Sequence, residues 1–395
     1  MKGAKIHTVG IIMNGVTGRM GSNQHLMRSI VPLIRQGGVK VSDEERIVPD
    51  PILVGRNAAK LERLSTVSGI KKWTTDLDGA LSDPHNVVYF DAQATSLRYT
   101  AVRKAIEAGK HVYCEKPLAR DLKEARQIYE TAKGSDRFHQ MVFEYRYIPA
   151  IMRAKQLVED GFLGRVFTFR GCYLHSGYID PKRPISWRLT KQMSGGGALY
   201  DIGSHILDLV RFLLGEFDSV FALTETFIKE RPLAERPEQT AQVDVDDWTL
   251  LAIRMRNGAT GSVEASRVAT GMNDELRLEI HGSLGAIRFN LMEPNWLEVY
   301  DVRDPEEPIG GMRGFKKIET VQRYPKPVVF PSPKFAIGWT RYHIASQYEF
   351  LRRLAEGEPS SPDFSDGLAI QEVMEAGYLS AQRGSWVKLP LNLEE

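Results

Sequence analysis

The sequence predicts an α/β protein of two domains: a parallel-sheet domain, then an α+β domain with a large, mostly antiparallel open sheet. Its 395 residues exceed what one ordinary hydrophobic core accommodates. Short apolar runs alternate with helix-length amphipathic segments over residues 6–144, and strand-like runs separated by turns follow from residue 165. The first pattern is typical of parallel strands joined by crossover helices, and the second of an antiparallel sheet.

The apolar runs of the first part have the length and composition of buried strands, and the segments between them have helical periodicity. Strands are predicted at 6–13, 51–55, 86–92, 110–115 and 138–144, and helices at 19–36, 57–67, 97–108 and 121–133. Crossover helices of this length return the chain to the same edge of the sheet, so these strands belong to one parallel sheet.

The second part begins with a helix inside residues 145–164. Further strands are predicted at 165–175, 218–228, 246–255, 259–268, 275–282 and 285–292, and closing helices at 342–356 and 366–383 after a Pro-rich stretch at 324–333. We therefore place the boundary near Ile148, with residues 1–147 as the first domain and 148–395 as the second.

Composition excludes several classes of protein. Charged residues make up 26% of the chain and the formal net charge is +2, which is typical neither of a nucleic-acid-binding surface nor of disorder. No apolar run approaches the roughly 20 residues of a membrane span. The two cysteines, Cys114 and Cys172, form no CxxC and no zinc-ligand cluster. We expect a cytoplasmic protein whose partner is a small molecule, not a nucleic acid or a membrane.

The first motif is the glycine-rich NGVTGRMG, which joins the first predicted strand to the first predicted helix. Glycines at such a turn let the backbone approach a pyrophosphate, whose charge the helix N-terminus stabilises. The spacing is GxxGxxG instead of GxGxxG, so a plain glycine turn remains the alternative. We expect cofactor contacts at Gly15, Thr17, Gly18, Arg19, Met20 and Gly21.

The residues after the second strand bear on the choice of nicotinamide cofactor. An acid there would bind a ribose 2′-hydroxyl, whereas the sequence has Arg56 and Asn57. Arginine suits a 2′-phosphate, so the sequence favours NADP over NAD. A solvated arginine is the alternative, because the insert at 36–50 leaves the strand end uncertain and brings Asp50 nearby.

The second motif is AGKHVYCEKPLA, which contains Glu115, Lys116 and Pro117. A lysine at the carboxyl end of a parallel strand points into the crevice where ligands of open α/β sheets bind. Proline restricts the backbone beside it. Pairing of Lys116 with Glu115 or Glu124 is the alternative.

The third motif is GGGALYDIGSHILDL, which begins at Gly195. On a helix, Asp201 and His205 are four residues apart and share a face, and an aspartate beside a histidine suits a general base. The three glycines would let the backbone approach a ligand or the other domain closely. The alternative is a helix N-terminus with favourable acids and a buried histidine. Because spacing supplies no third ligand, we expect no metal.

These motifs together resemble the Gfo/Idh/MocA family of NAD(P)-dependent sugar and polyol oxidoreductases. AGKHVYCEKPLA is similar to the family's AGKHVxxEKP signature and GGGALYDIGSHILDL to its GGGxLxDxGxHxxD signature, with WRL at 187–189 between them. The resemblance runs from the first strand to the end of the chain. It implies a Rossmann domain followed by an α+β domain whose open sheet forms the interface of a homodimer or homotetramer.

The resemblance also implies roles for three residues. The catalytic lysine of the family falls on Lys116, and its aspartate and histidine fall on Asp201 and His205. His205, oriented by Asp201, would take the proton of a sugar, glycoside or cyclitol hydroxyl while the hydride passes to nicotinamide, and Lys116 would stabilise the alkoxide. Whether His205 or Lys116 takes the proton stays open.

Two alternatives share this fold. One is a glycoside hydrolase or lyase that uses tightly bound NAD transiently. The other is a ligand-sensing protein that has lost catalysis, and retention of Lys116, Asp201 and His205 argues against it.

The substrate pocket is expected to involve the loop between residues 173 and 188. Aromatic rings stack on sugar faces and polar groups bind hydroxyls. The candidates are Tyr145, Arg146, Tyr173, His175, Trp187 and Arg188. Much of this loop could instead bridge the domains. Glu144 stands where the family commonly has Asn, and its carboxylate could contact substrate or pair with Arg146.

Overall fold

The computed structural model describes residues 5–321 and 336–392, so the Pro-rich stretch at 324–333 lies outside the described residues. The chain forms two compact units. The first comprises residues 5–144 and 338–368, and the second comprises residues 145–321, 336–337 and 369–392. Within these ranges, no helix combines the length and apolar character that a membrane crossing requires.

The first unit contains a seven-stranded sheet. Its strands are β1 (Lys5–Asn14), β2 (Val39–Lys40), β3 (Glu45–Val54), β4 (Trp73–Thr74), β5 (Asn86–Asp91), β6 (His111–Cys114) and β7 (His139–Met141). The order is β2-β3-β1-β5-β6-β7, with β4 paired to β3, and every pairing is parallel except that of β2 with β3. This confirms the predicted parallel-sheet domain.

The helices of the first sheet lie within two residues of the predicted bounds. The first helix, α1, is a π-helix over Met20–Ile30 and an α-helix over Val31–Arg35; the others are α2 (Ala58–Ser68), α3 (Leu77–Ser82), α4 (Thr95–Glu107) and α5 (Leu122–Lys133). Strand β3 begins earlier than predicted because its ladder with β1 continues back to the pair Lys5 and Glu45. The short elements α3, β2 and β4 were not predicted.

The second unit contains a nine-stranded sheet and a two-stranded ribbon. In chain order its elements are α6 (Pro149–Glu159), β8 (Val166–Leu174), α7 (Lys191–Ser194), a π-helical turn (Leu199–Gly203) that continues into α8 (Ser204–Leu214), β9 (Phe217–Glu225), β10 (Glu230–Pro232), β11 (Thr240–Gln242), β12 (Trp248–Met255), β13 (Thr260–Ser266), β14 (Glu275–Gly282), β15 (Gly285–Asn290), β16 (Trp296–Asp301) and β17 (Lys316–Glu319). Two 3-10 turns cover Glu144–Tyr147 and Trp187–Leu189.

Two long helices, α9 (Trp339–Glu356) and α10 (Phe364–Arg383), and a final strand β18 (Val387–Lys388) complete the chain. The large sheet has the order β17-β16-β15-β14-β8-β13-β12-β9-β18. Its pairings are antiparallel except that between β8 and β13. The predicted, mostly antiparallel second sheet is therefore confirmed, with β16, β17 and β18 as strands that the sequence analysis missed.

Helix α8 packs on β8 at a glycine. A Cβ atom at Gly171 would lie 2.8 Å from Cγ1 of Ile206, so a larger residue there would push the helix away from the sheet. The side chains of Ile206, Leu207 and Val210 are buried. This close packing fixes the height of α8 above the centre of the sheet.

The predicted second domain, residues 148–395, differs from the second unit, because residues 338–368 belong to the first unit. On α9, Ser346 Oγ lies 2.7 Å from the hydroxyl of Tyr113, and Gln347 Nε2 lies 2.9 Å from Nδ1 of His25. Phe350 also packs against the Tyr113 ring. The helical periodicity of α9 predicts a buried face but does not say which sheet it covers.

Candidate active site

The turn between β1 and α1 has the shape that a pyrophosphate requires. Gly15 has a φ of +79°, and a Cβ atom there would lie 2.7 Å from the carbonyl carbon of Ala92. The amide of Gly18 donates to the Gly15 carbonyl over 3.0 Å, which closes the turn. Helix α1 starts at Met20, and the side chain of its N-cap residue, Arg19, makes no capping hydrogen bond. Its backbone N–H groups are therefore suited to hold an anion such as a dinucleotide pyrophosphate.

Two predicted cofactor residues follow β3: Arg56, which is exposed, and Asn57, which caps the next helix. The side chain of Asn57 accepts a hydrogen bond from the Lys60 amide at 2.9 Å, which caps α2 and indicates a structural role for this predicted cofactor residue. Arg56 is exposed. Asp50, whose proximity had favoured a solvated arginine, is bound by Lys72 at 2.5 Å and His85 at 2.7 Å.

Lys116 follows the carboxyl end of β6, as predicted, and its peptide bond to Pro117 is cis. Buried Arg98 supports this segment: its Nη1 donates to the Pro117 carbonyl, and its Nε donates to Asp91 at 2.8 Å. Glu124, an alternative partner of Lys116, accepts hydrogen bonds from the side chain and amide of Arg120.

Glu115 belongs to a buried group of ionisable side chains. Its carboxylate accepts from the Lys116 amide at 3.1 Å and lies 2.5 Å from Nε2 of His25. Burial disfavours its charged form, but the hydrogen bond and charge of His25 outweigh this effect and hold the pKa of Glu115 at about 2. Burial lowers the pKa of neighbouring His343 to about 3. Glu144 lies 3.4 Å from Nε2 of His343, and its pairing with Arg146 stays a prediction.

In the second unit, the glycine run is shaped around Asp246. The Asp246 carboxylate, buried in the unit, accepts from the amides of Gly197 and Leu199, each at 2.9 Å, from Thr249 Oγ1 at 2.8 Å and from the Tyr378 hydroxyl at 2.5 Å. A Cβ atom at Gly197 would overlap the backbone of Asp246. The close approach predicted for these glycines is therefore to Asp246, a residue of the same unit, and it caps the helix that follows.

Asp201 and His205 lie one turn apart on this capped helix, Asp201 in the π-helical turn and His205 at the second position of α8. The Asp201 side chain is 30% exposed, and its carboxylate is 3.9 Å from Nη1 of buried Arg267. His205 is buried, and its ring centroid is 4.8 Å from that of Tyr145 and 6.0 Å from that of Tyr173. Orientation of His205 by Asp201 stays a prediction.

A chain of hydrogen bonds runs from these aromatic rings to the surface of the second unit. The hydroxyls of Tyr145 and Tyr173 are 2.6 Å apart, and Tyr173 donates to Oδ1 of Asp274 at 2.7 Å. Nε2 of His175 lies 3.1 Å from the same oxygen. Burial, followed by the charges and hydrogen bonds of Tyr145 and Asp274, raises the pKa of Tyr173 well above its ordinary value, so Tyr173 remains a donor. Two predicted substrate residues, Tyr145 and Tyr173, thus lie beside His205, and a third, His175, lies on the other side of Tyr173.

Asp274 was missed by the sequence analysis. It precedes β14, and Glu275 at the start of that strand pairs with Leu174 at the end of β8. This register places Asp274 beside His175. In the sequence, Asp274 is only an acidic residue directly before a predicted strand. Its place beside His175 cannot be predicted until the pairing of β14 with β8 is known.

The other predicted substrate residues are placed differently. Arg146 forms a bidentate ion pair with Asp208, at 2.9 and 2.5 Å, and both side chains are buried. This pair holds the Arg146 side chain in the interior, and the contact of Arg146 with substrate stays a prediction. The guanidinium of Arg188 lies over the Trp187 ring, 4.4 Å from its centroid, and both residues are partly exposed.

Among the described residues, no group of three or more His, Cys, Asp or Glu side chains is placed to hold a metal ion.

The chain matches two family models. Residues 51–143 match the model described as oxidoreductase family, NAD-binding Rossmann fold, and residues 151–288 match the GFO/IDH/MocA C-terminal domain.

Similar proteins include two sugar dehydrogenases. Levoglucosan dehydrogenase of Pseudarthrobacter phenanthrenivorans is 38% identical over 336 residues, which are 82% of this chain and 85% of the relative. D-xylose dehydrogenase of Paenarthrobacter nicotinovorans is 34% identical over 288 residues, 71% of this chain and 74% of the relative. The solved structure of levoglucosan dehydrogenase in complex with NADH and levoglucosan is similar with a TM-score of 0.87 and 34% identity, covering 98% of this chain and 100% of that one.

Replacement of the capping carboxylate should destabilise the second unit. We expect Asp246→Ala to lower the free energy of unfolding by about 3 kcal/mol, because it leaves buried amide and hydroxyl donors without an acceptor. Urea unfolding followed by circular dichroism measures this.

Asp244→Ala is the matched control. Asp244 is exposed and its carboxylate caps α7 through the Lys191 amide at 2.6 Å, so we expect a loss of about 1 kcal/mol or less. Equal losses in the two variants would show that the Asp246 cap does not hold the helix.

Proposed function

The chain belongs to the Gfo/Idh/MocA family of oxidoreductases, and from this premise we propose that it oxidises a ring hydroxyl of a pyranose or anhydropyranose. As a member it is an NAD(P)-dependent oxidoreductase that acts on CH–OH groups of sugars or cyclitols. The observation that supports a sugar substrate best is that Tyr145 and Tyr173 lie beside His205 and that His175 lies next to Tyr173. None of the relatives named above supports the hydrolase or lyase alternative, and it is not proposed further.

We propose that the reaction is carried by Lys116, Asp201 and His205. The imidazole of His205 takes the hydroxyl proton, and the Asp201 carboxylate stabilises the cationic ring that results. The ammonium of Lys116 stabilises the oxyanion that develops on the substrate. The nicotinamide, when bound, supplies the hydride acceptor.

The cofactor is held, in this proposal, by the turn of Gly15, Thr17, Gly18, Arg19, Met20 and Gly21 and by the segment of Glu115 and Lys116. Backbone amides at the start of α1 bind the pyrophosphate, whose negative charge the helix N-terminus stabilises. The buried Glu115 carboxylate keeps the amide of Lys116 in one position. These contacts account for dinucleotide binding by residues that the local fold already constrains.

We propose that NADP is preferred to NAD. Exposed Arg56 follows β3, while Asp50 is engaged by Lys72 and His85 and lies within the strand. A cation without a competing acid suits a ribose 2′-phosphate. Levoglucosan dehydrogenase was solved with NADH, so the choice between the cofactors needs a direct measurement.

We also propose a homodimer or homotetramer in the cytoplasm. The open face of the large sheet carries a groove with charges of both signs and a partly exposed tryptophan, a surface suited to a second copy of the chain. The groove is lined by Arg170, Glu264, Arg277, Glu279, Arg288 and Trp296. The free thiols of Cys114 and Cys172 support a reducing compartment.

Loss of either catalytic side chain should abolish most of the dehydrogenase activity. We expect Lys116→Ala and His205→Ala to lower kcat by about 10²–10⁴-fold, because charge stabilisation and proton transfer contribute factors of this size. The measurement is absorbance of reduced nicotinamide during oxidation of levoglucosan, aldoses and inositols.

Lys104→Ala and His85→Ala, in exposed ion pairs of the first unit, serve as controls and should keep the activity. Wild-type kcat in Lys116→Ala would remove lysine from the mechanism. An unchanged pH profile of the residual activity in His205→Ala would remove histidine as the base.

Cofactor preference should depend on Arg56. Arg56→Ala is expected to lower kcat/KM for NADP about 10–100-fold and to leave that for NAD nearly unchanged, because only the 2′-phosphate loses its charge-assisted contact. The exposed Arg63 of α2 gives the control variant Arg63→Ala. A wild-type enzyme that prefers NAD, or a ratio unaffected by Arg56→Ala, contradicts the proposal.

The mass in solution should equal two or four chains. Trp296→Glu places a charge on the proposed interface, and we expect it to reduce the mass measured by light scattering. Ile6→Glu, at an exposed position of the first unit, should have no effect. A monomeric wild-type protein contradicts the proposal.

A further inference from the structure

We propose that Asp274 determines substrate specificity: its carboxylate accepts a hydrogen bond from a sugar hydroxyl other than the one that is oxidised. This inference rests on the proposed function and extends it to a residue outside the two signatures. The sequence pattern did not single out Asp274, and its role follows from the packing around His205.

The position of Asp274 is fixed by two neighbours. Tyr173 donates to Oδ1 at 2.7 Å, and Nε2 of His175 lies 3.1 Å from the same atom. A carboxylate has acceptor capacity on both of its oxygens. Within the described part of the chain, the hydrogen bonds to Asp274 from side chains fall on Oδ1, which leaves Oδ2 for a ligand. The side chain is 34% exposed and therefore accessible.

Asp274 and His205 lie on either side of Tyr173. The Tyr173 ring is 6.0 Å from the His205 ring and 5.2 Å from the His175 ring, measured between centroids. Tyr173 therefore spans the distance between the proposed base and the Asp274 carboxylate. A sugar that presents one hydroxyl to His205 carries further hydroxyls on its other ring carbons, and a hydroxyl remote from the first is the one that faces Asp274.

The hydrogen-bond chain also fixes the kind of group that Asp274 can bind. Tyr173 donates to Asp274, so the Tyr173 oxygen accepts from Tyr145. Each hydroxyl proton in this chain points toward the carboxylate. The chain thus ends in an acceptor, which binds a hydroxyl and gains nothing from an ether, a carbonyl or a C–H group at the same place.

The energetic size of this contact follows from the exposure of the site. A hydrogen bond to a charged group contributes about 1.5–3 kcal/mol, and an exposed group that loses its partner recovers part of this from water. We therefore expect an effect of about 10–100-fold on kcat/KM. A larger effect would require a fully buried site.

The experiment measures wild-type protein and one variant with the same series of substrates. Wild-type protein and Asp274→Ala are compared in kcat/KM for the best pyranose substrate and for each of its monodeoxy analogues, excluding the carbon that is oxidised. We expect one analogue to lose about 10–100-fold with the wild type and to lose nothing further with Asp274→Ala. The remaining analogues should lose the same factor with both proteins.

Asp274→Asn separates this role from a structural one. An amide oxygen still accepts from a hydroxyl, so this variant should retain part of the discrimination against the same analogue. Asp218→Ala, which removes a partly exposed carboxylate from β9 of the same unit, should leave the entire series unchanged.

Two outcomes overturn the inference in different ways. If Asp274→Ala lowers kcat/KM by one factor for the parent sugar and all its analogues, Asp274 only supports the fold. If the wild type reduces no nicotinamide with any polyol, the proposed function itself fails and this role fails with it.

Discussion

The helix that carries Asp201 and His205 depends on the buried carboxylate of Asp246. A helix N-terminus carries several N–H groups with no partner inside the helix, and here two of them, from Gly197 and Leu199, donate to one side chain. The amide of Ala198 donates to the Asp246 carbonyl at 2.9 Å, so three successive residues are bound to one aspartate. Because the start of the helix is fixed, Asp201 is fixed within its first turn and His205 one turn later. The glycines are needed for this contact, since a side chain at Gly197 would exclude Asp246.

The large sheet provides the second constraint on the same histidine. Helix α8 approaches β8 at Gly171, two residues before Tyr173 on the same strand. The capped helix sets the axial position of His205, and the glycine contact sets its distance from the strand that carries Tyr173. The phenol ring of Tyr173 and the imidazole of His205, which come from separate elements, therefore meet with their centroids 6.0 Å apart. Strand β14 then brings Asp274 to the other side of Tyr173 through its ladder with β8.

The sequence predicted those features that depend on local pattern. Alternation of strand and helix gave the parallel sheet, and spacing of glycine, aspartate and histidine gave the helix that carries His205. What sequence could not predict depends on pairing between distant segments. His25, Glu115 and Gln347 form one buried hydrogen-bonded group although they come from α1, the end of β6 and α9. Arg146 is a second example, because its buried ion pair with Asp208 joins residues that are 62 positions apart in the sequence.

The residues proposed to carry the reaction and those proposed to bind the sugar lie in different parts of the second unit. Asp201 and His205 occupy a helix whose N-terminus and packing face are both constrained, so substitutions around them would disturb the fold as well as the reaction. His175 directly follows β8, and Asp274 directly precedes β14. The hydrogen-bonded ladder ends at these positions, so a substitution there changes the stability of the fold little. Residues at such strand ends can change while the register, and therefore the position of Tyr173, stays the same. The proposed contact between Asp274 and a sugar hydroxyl can therefore be altered by substitution at the margin of the sheet without moving His205.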